Sequence, residues 1–117
     1  MIIGRNNKDI YYYVEKDKDI NNLNYYTAHK SKGLESENII LINLTDGILG
    51  FPNKIVNNKL ISNLFEKELY KFDEERRLFY VAITRTKNNI YMLVNKNTMS
   101  IFVKELIKDY GKYIEII

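Results

Sequence analysis

Chemically versatile side chains are concentrated in one short segment, Thr27 to Glu35 (TAHKSKGLE). This segment follows a stretch, Tyr25 to Ala28, that is predicted to be extended, and the ends of strands are where open α/β sheets usually bind ligands. Backbone N–H groups around Gly33, together with the ammonium groups of Lys30 and Lys32, are suited to a phosphate group. The segment therefore predicts an anion site at the edge of a sheet.

Two further side chains of this segment favour a nucleic acid as the anion. The hydroxyl of Thr27 and the imidazole of His29 are able to form hydrogen bonds to a nucleic-acid backbone. The alternative is a solvated basic turn with a structural glycine, and these residues alone leave that alternative open.

A second candidate is Arg85, in the segment Glu74 to Lys87 (EERRLFYVAITRTK). At about 100° per residue, Arg85 falls in line with Leu78 and Val81, on the helix face that should be buried. One explanation is an anion brought to that face, because a guanidinium offers several donors to phosphate oxygens and keeps its charge. The other is that Arg85 lies near the helix end, reaches water and satisfies terminal carbonyl groups.

The elements that must position these residues alternate between strands and helices. Extended segments rich in β-branched or aromatic residues are predicted at Ile2–Ile3, Ile10–Val14, Tyr25–Ala28, Ile39–Ile42 and Ile90–Val94. Two of them, Ile39–Ile42 and Ile90–Val94, are unbroken apolar runs and are predicted to be buried strands. Helices are predicted from about Leu60 to Phe72, from Asp73 towards Arg85, and from Ser100 to Gly111. The step Gly50–Phe51–Pro52 is predicted to be a rigid turn with a buried ring. The alternation predicts an α/β fold with a mostly parallel sheet and helices on both faces.

Length and composition narrow the class of protein. The 117 residues, 1–117, are enough for one domain with a single core. The absence of cysteine and the presence of one histidine make a metal site improbable, so we expect none. No apolar run approaches the ~20 residues of a membrane-spanning helix, and the first residues do not look like a signal peptide, so a cytoplasmic protein is expected. A net charge of +3 permits an anionic partner.

Three pieces of the sequence together resemble a known family. The stretches TAHKSKGLESENIILINL, GFP and EERRLFYVAITRTKNNIY look like motifs V and VI of UvrD/Rep-type superfamily 1 DNA helicases, in the family's order and at a compatible separation. The GFP step and the tail SIFVKEL look most like the bacterial DNA helicase IV branch. The resemblance implies a RecA-like (P-loop NTPase-like) domain, the second motor domain (2A-like) of such an enzyme.

The resemblance also implies roles for individual residues. In this family ATP lies between two RecA-like domains, and the arginine that matches Arg85 reaches the γ-phosphate from the second domain as a catalytic residue. Gly33 and Glu35 would lie at the nucleotide side of the cleft. The residues implied to face single-stranded or partly duplex DNA are Thr27, His29 and Lys30.

Two positions depart from the family's pattern. Ser36 stands where the family commonly has an aromatic or other bulky residue, and Thr86 follows the arginine where alanine is usual. Both departures concern local packing more than chemistry. Only about ten residues separate Ile10–Val14 from the strand before Thr27, so the domain is expected to lack the 2B-like subdomain that some relatives insert there.

The chain contains no G-x-x-x-x-G-K-[ST] (Walker A) loop. We therefore expect ATP with Mg²⁺ to be held mainly by an N-terminal RecA-like domain, and this chain alone to be inactive. The resemblance implies ATP-dependent movement on DNA, commonly in the 3′ to 5′ direction. Two alternatives stay open: a non-catalytic nucleic-acid-binding module derived from a helicase, and part of a helicase-nuclease subunit.

Overall fold

The computed structural model describes residues 1–16, 22–55 and 72–117, which contain four strands and three α-helices. The strands are β1 (Ile2–Gly4), β2 (Tyr25–Thr27), β3 (Ser36–Leu41) and β4 (Thr86–Met92). The helices are α1 (Asn7–Lys16), α2 (Asp73–Ile83) and α3 (Ile101–Tyr110), with short 3₁₀ turns at Lys96–Thr98 and Gly111–Tyr113.

The four strands form one parallel sheet in the order β2-β1-β3-β4. Ile3 of β1 lies opposite Tyr26 of β2 on one side and Leu41 of β3 on the other. Leu41 in turn lies opposite Met92 of β4. The predicted α/β fold with a parallel sheet is confirmed.

Helices lie on both faces of this sheet. From β1 the chain passes through α1 to β2, on one side of β1 in the sheet. From β3 it passes through α2 to β4, on the opposite side. Connections between parallel strands are right-handed, so two connections that run in opposite directions across the sheet place their helices on opposite faces. The packing agrees, because Ile3, Ile39 and Leu41 share a buried cluster with residues of α2 and α3. Gly4 faces α1 instead, since a Cβ at Gly4 would lie 2.9 Å from the Cβ of Asp9.

Three phenylalanines form the centre of the core between α2 and α3. The ring centroids of Phe51 and Phe79 are 5.3 Å apart and those of Phe79 and Phe102 are 5.2 Å apart. The buried hydroxyl of Ser100 donates to the carbonyl oxygen of Phe51 and accepts from the N–H of Phe102 at 3.2 Å, which caps α3. The predicted buried ring of Phe51 and the predicted cap at Ser100 are confirmed.

Residues 10–14 lie in α1, so the extended segment predicted there is wrong. The N–H of Asn6 donates to the Oδ2 atom of Asp9 at 2.8 Å, which is the reciprocal half of a capping box at the start of the helix. Ile10 is buried, whereas Tyr11 and Tyr12 are 62% and 55% exposed. The helix thus buries one apolar residue and leaves the tyrosines in solvent, and this packing overrides their preference for strands.

The strand β4 differs from its prediction in extent and burial. It begins at Thr86 rather than Ile90 and is the outermost strand on one side of the described sheet. Ile90 and Met92 pack against the core, but Tyr91 is 50% exposed. The prediction of a buried strand is therefore wrong, because side chains alternate between the two faces of a strand and only one face of β4 packs against the core.

The helix predicted from Asp73 is confirmed as α2, but α2 ends at Ile83, so Arg85 lies just beyond it. The helix predicted from about Leu60 to Phe72 falls outside the described residues, except for its last residue. Among the helices in the described ranges, none has the length and apolar character needed to cross a membrane.

Candidate functional site

The segment from Thr27 to Ser36 runs from one end of the parallel sheet to the other. The end at which β1 and β2 finish and the end at which β3 and β4 begin are called the two edges below. Thr27 ends β2 at the level of Gly4, whereas Ser36 begins β3 opposite Thr86 at the start of β4. At about 3.3 Å per residue, the length of β3 separates the two edges by roughly 20 Å. The structure therefore divides the predicted site residues into two clusters, rather than placing all of them at one edge.

The first cluster comprises residues 33–36 and 84–87 and is called the Arg85 cluster below. The Nε atom of Arg85 donates to the carbonyl oxygen of Val81 at 3.0 Å, and Nη1 donates to that of Leu34 at 3.5 Å. The N–H of Ser36 donates to the carbonyl oxygen of Arg85 at 3.0 Å. Both backbone and side chain thus join the two segments that the sequence analysis selected separately.

Arg85 combines the two explanations considered for it. Its Nε satisfies a carbonyl group in the last turn of α2, as the structural explanation predicts. Of the five N–H groups of a guanidinium, a second donates to Leu34 and a third to the Oγ1 atom of Thr84 at 3.3 Å. The other two have no hydrogen-bond partner in the described part of the chain, and the side chain is only half-buried. These two donors are available to an anion.

Gly33 and Glu35, the other residues predicted at the nucleotide side, lie beside Arg85. Gly33 has a φ of +78°, which disfavours other residues, and nothing lies within 4 Å of the position that a Cβ would take. The exposed carboxylate of Glu35 pairs with the Nζ atom of Lys87 at 3.5 Å. Exposed ion pairs are weak, so this carboxylate exchanges partners at little cost. The structure brings all three predicted residues to one edge.

The two departures from the helicase pattern are direct neighbours. Ser36 and Thr86 lie opposite one another in the register of β3 with β4. The hydroxyl of Ser36 donates to the carbonyl oxygen of Asn38 at 3.1 Å. The hydroxyl of Thr86 lies 2.8 Å from the carbonyl oxygen of Asn89 and 3.1 Å from that of Glu37. Ser36, which is smaller than the residue usual in the family, therefore faces Thr86, which is larger than the usual alanine. Both hydroxyls have hydrogen-bond partners.

The second cluster lies at the opposite edge and comprises Arg5, Thr27, His29, Lys30 and Glu75; it is called the His29 cluster. Thr27 is only 7% exposed, and its Oγ1 atom accepts from the N–H of Lys30 at 3.3 Å, so Thr27 shapes the turn that follows β2. His29 and Lys30 are exposed. An exposed imidazole and an exposed ammonium group are suited to contact with phosphate oxygens.

The imidazole of His29 lies in basic surroundings. Partial burial lowers the pKa of His29 from its usual 6.5, and the positive charges of Arg5 and Lys32 lower it further, whereas Glu75 acts in the opposite direction. These surroundings therefore favour the neutral form of the ring. An anion bound beside it would favour the charged form and raise this pKa.

Within the His29 cluster, a bidentate ion pair joins Arg5, which follows β1, to Glu75 of α2. The Nη2 and Nε atoms of Arg5 donate to the Oε1 and Oε2 atoms of Glu75 at 2.6 Å and 2.8 Å, and the two side chains are 17% and 15% exposed. Oε2 of Glu75 also accepts from the N–H of Asn53 at 2.8 Å. Glu75 lies in the first turn of α2, and Arg85 lies just after its last turn. The helix α2 therefore connects the two clusters.

Sequence reasoning did not select Arg5, Glu75 or Thr84. Arg5 and Glu75 are 70 positions apart, and no local spacing pairs them. The one available signal is that Arg5 follows a strand directly, at the same sheet edge as the end of β2. Thr84 is one residue from Arg85, but its contact with the guanidinium depends on how the chain turns at the end of α2.

The described residues offer no site for a metal ion. Within residues 1–16, 22–55 and 72–117, no three histidine, aspartate or glutamate side chains lie together as a metal site requires.

The parallel sheet with helices on both faces, together with these motif segments, is that of a RecA-like α/β domain. The UvrD-like helicase C-terminal domain family matches residues 10–97, which is more than half of the chain. The chain belongs to this family.

Individual relatives point to the same group. DNA helicase IV of Escherichia coli (strain K12) is 35% identical over 88 residues, covering 72% of this chain and 12% of that protein. A probable DNA helicase II homolog of Mycoplasma capricolum is 28% identical over 95 residues, covering 81% and 12%. The ATP-dependent DNA helicase Rep of Buchnera aphidicola subsp. Schizaphis graminum is 38% identical over 72 residues, covering 61% and 9%. The chain thus spans about a tenth of the length of these relatives.

Replacing Glu75 with alanine should destabilise the domain by about 3 kcal/mol, because the largely buried guanidinium of Arg5 would lose its partner. Urea unfolding followed by circular dichroism measures this change. The matched control is Glu105→Ala, which removes an ion pair with Arg76 whose side chains are 46% and 43% exposed, and it should cost less than about 1 kcal/mol. Equal losses for both variants would contradict the structural importance of the Arg5–Glu75 pair.

Proton NMR should show that the pKa of His29 lies below 6.5. The imidazole signals are assigned without ambiguity because His29 is the only histidine in the sequence. Lys32→Gln should raise this pKa by removing a positive charge, whereas the control Lys87→Gln at the opposite edge should leave it unchanged. Since the pKa is lowered on folding, the contribution of His29 to stability is present above pH 6.5 and is lost as the pH falls through the folded-state pKa. A pKa above 6.5 would contradict the environment described.

Proposed function

We propose that this domain is the second motor domain of an ATP-dependent DNA helicase or translocase, and that it completes an ATP site formed with an N-terminal RecA-like domain. The observation that carries the proposal is the Arg85 cluster, in which a half-buried guanidinium with two available donors lies beside the turn at Gly33. The family, and relatives named as ATP-dependent DNA helicases, support the same function.

Arg85 is the proposed catalytic residue. Two of its N–H groups have no partner among the residues that the structure describes and fit phosphate oxygens, and a guanidinium stays charged throughout the physiological pH range. When the two domains close on the nucleotide, Arg85 would stabilise the negative charge that develops during phosphoryl transfer, so hydrolysis would depend on domain closure. Gly33 and Glu35 would line the nucleotide side. Mg²⁺ would be held with ATP mainly by the N-terminal domain, since the described residues provide no ligand set for it.

His29 and Lys30 are proposed to bind the phosphate backbone of single-stranded or partly duplex DNA. Both are exposed, and their positive or proton-donating groups lie at the same edge as Arg5. Thr27 supports this contact by holding the turn through its hydrogen bond from the N–H of Lys30. A direct contact of Thr27 with DNA stays a prediction.

The separation of the two clusters supports coupled function. DNA would bind at one edge and ATP at the other, roughly 20 Å away, with α2 between them. We propose that residues 1–117 act as one 2A-like domain without a 2B-like subdomain, in a cytoplasmic enzyme that moves 3′ to 5′. The whole enzyme, meaning this domain with its proposed N-terminal partner, would convert closure of the ATP site into movement along DNA.

Replacing Arg85 with alanine in the whole enzyme should lower the rate of ATP hydrolysis by roughly 10³-fold or more, the scale of an arginine finger. Folding and binding to single-stranded DNA should change little, because the His29 cluster is at the other edge. Lys108→Ala, which removes an exposed positive charge from α3, is the matched control and should hydrolyse ATP normally. Normal turnover in Arg85→Ala would contradict the proposed catalytic role.

Mixing the separately expressed halves tests whether the ATP site is shared. This domain alone should show no DNA-stimulated ATP hydrolysis, whereas a mixture with the N-terminal domain should, and a fluorescent oligo(dT) binding assay should report DNA contact in parallel. Hydrolysis by this domain alone would contradict a shared site. An inactive mixture in which this domain still binds oligo(dT) would favour a non-catalytic nucleic-acid-binding module.

A further inference from the structure

We infer that Thr84 is a positioning residue for Arg85, an inference that rests on the proposed function of the Arg85 cluster. The Oγ1 atom of Thr84 accepts a hydrogen bond from Nη2 of Arg85 at 3.3 Å. The same hydroxyl lies 2.9 Å from the carbonyl oxygen of Tyr80 and 3.1 Å from that of Val81. Thr84 therefore links the proposed catalytic side chain to the end of α2.

The orientation of the Thr84 hydroxyl follows from the number of its hydrogen atoms. A threonine hydroxyl has one proton to donate and two lone pairs to accept with. The two carbonyl oxygens at the end of α2 take that proton, so a lone pair is directed away from them and towards Nη2 of Arg85. The hydroxyl thus acts as a fixed acceptor for the guanidinium.

Three contacts then determine where the guanidinium lies. Val81 holds Nε, Leu34 holds Nη1 and Thr84 holds Nη2. A guanidinium is planar, so acceptors on three nitrogens restrict both its position and its rotation. The remaining donors keep a constant direction, which reduces the entropy that must be lost when an anion binds. Without Thr84, rotation about the Nε contact would carry Nη2 away from its present place.

A purely structural role for Thr84 is the competing explanation. The N–H of Thr84 donates to the carbonyl oxygen of Tyr80 at 3.1 Å, and the residue is the C-cap of α2. Both are features of the backbone, so a valine or a serine at this position keeps them. Thr84→Val keeps the branched shape and removes the hydroxyl, whereas Thr84→Ser keeps the hydroxyl and removes the methyl group, so the two variants separate packing from hydrogen bonding.

The experiment measures ATP hydrolysis by the whole enzyme carrying Thr84→Val, Thr84→Ser, Arg85→Ala, or Thr84→Val together with Arg85→Ala. Thr84→Val should lower kcat by about 10-fold, the scale of one hydrogen bond to a charged group, with KM for ATP within about 2-fold of normal. Thr84→Ser should keep kcat within about 2-fold. In the Arg85→Ala background, Thr84→Val should change kcat by less than about 2-fold, since no guanidinium remains to be positioned.

The outcomes distinguish this inference from the function on which it rests. If Arg85→Ala is strongly impaired while Thr84→Val is normal, the positioning role of Thr84 is overturned and the proposed function stands. If Thr84→Val lowers kcat by the same factor with and without Arg85, the residue acts through folding or another route, and the inference is again overturned. Normal turnover in Arg85→Ala would overturn both.

Discussion

Parallel pairing of β3 with β4 is the interaction on which the Arg85 cluster depends. In this register Ser36 lies opposite Thr86, so Glu35 and Arg85, which immediately precede these residues, enter the sheet side by side. The bond from the N–H of Ser36 to the carbonyl oxygen of Arg85 extends the ladder one step beyond β4. A slip of one residue would reverse the side-chain faces of β4, and the guanidinium would no longer reach the carbonyl oxygen of Leu34.

The position of α2 extends this constraint across the domain. Leu78, Phe79 and Ala82 bury one side of the helix in the core, and Glu75 anchors its first turn to Arg5. A helix packed along its length and bonded at its start moves as a unit, because interiors are close-packed and resist deformation. Displacement at the edge that carries His29 would therefore reach the turn at the end of α2. This is a physical basis for the coupling that we propose between DNA contact at the His29 cluster and the proposed ATP site at the Arg85 cluster.

Local chemistry was sufficient to predict the elements whose signals extend over a few residues. The acidic first turn marked the start of α2 at Asp73, and the hydroxyl of Ser100 marked the cap of α3, because both effects act within one helical turn. Local patterns failed where packing decided the result. The tyrosines after Ile10 favoured a strand, but capping and burial of one residue produced α1. The apolar run from Ile90 did not reveal that β4 is the outermost strand of the sheet in the described residues.

The sequence by itself determined the strands and helices other than α1, and it selected Arg85 and the basic segment that follows Thr27, because these depend on residue type and short spacing. The resemblance implied that Gly33 and Glu35 lie with Arg85 and that His29 lies apart from them, but only the tertiary structure shows how one edge of the sheet holds the first three residues and the other edge holds His29. Strand order and register set that division, and they arise from hydrogen bonds between segments far apart in the chain. For the same reason the pairing of Arg5 with Glu75, and the contact of Thr84 with the guanidinium, became visible only once the chain was folded.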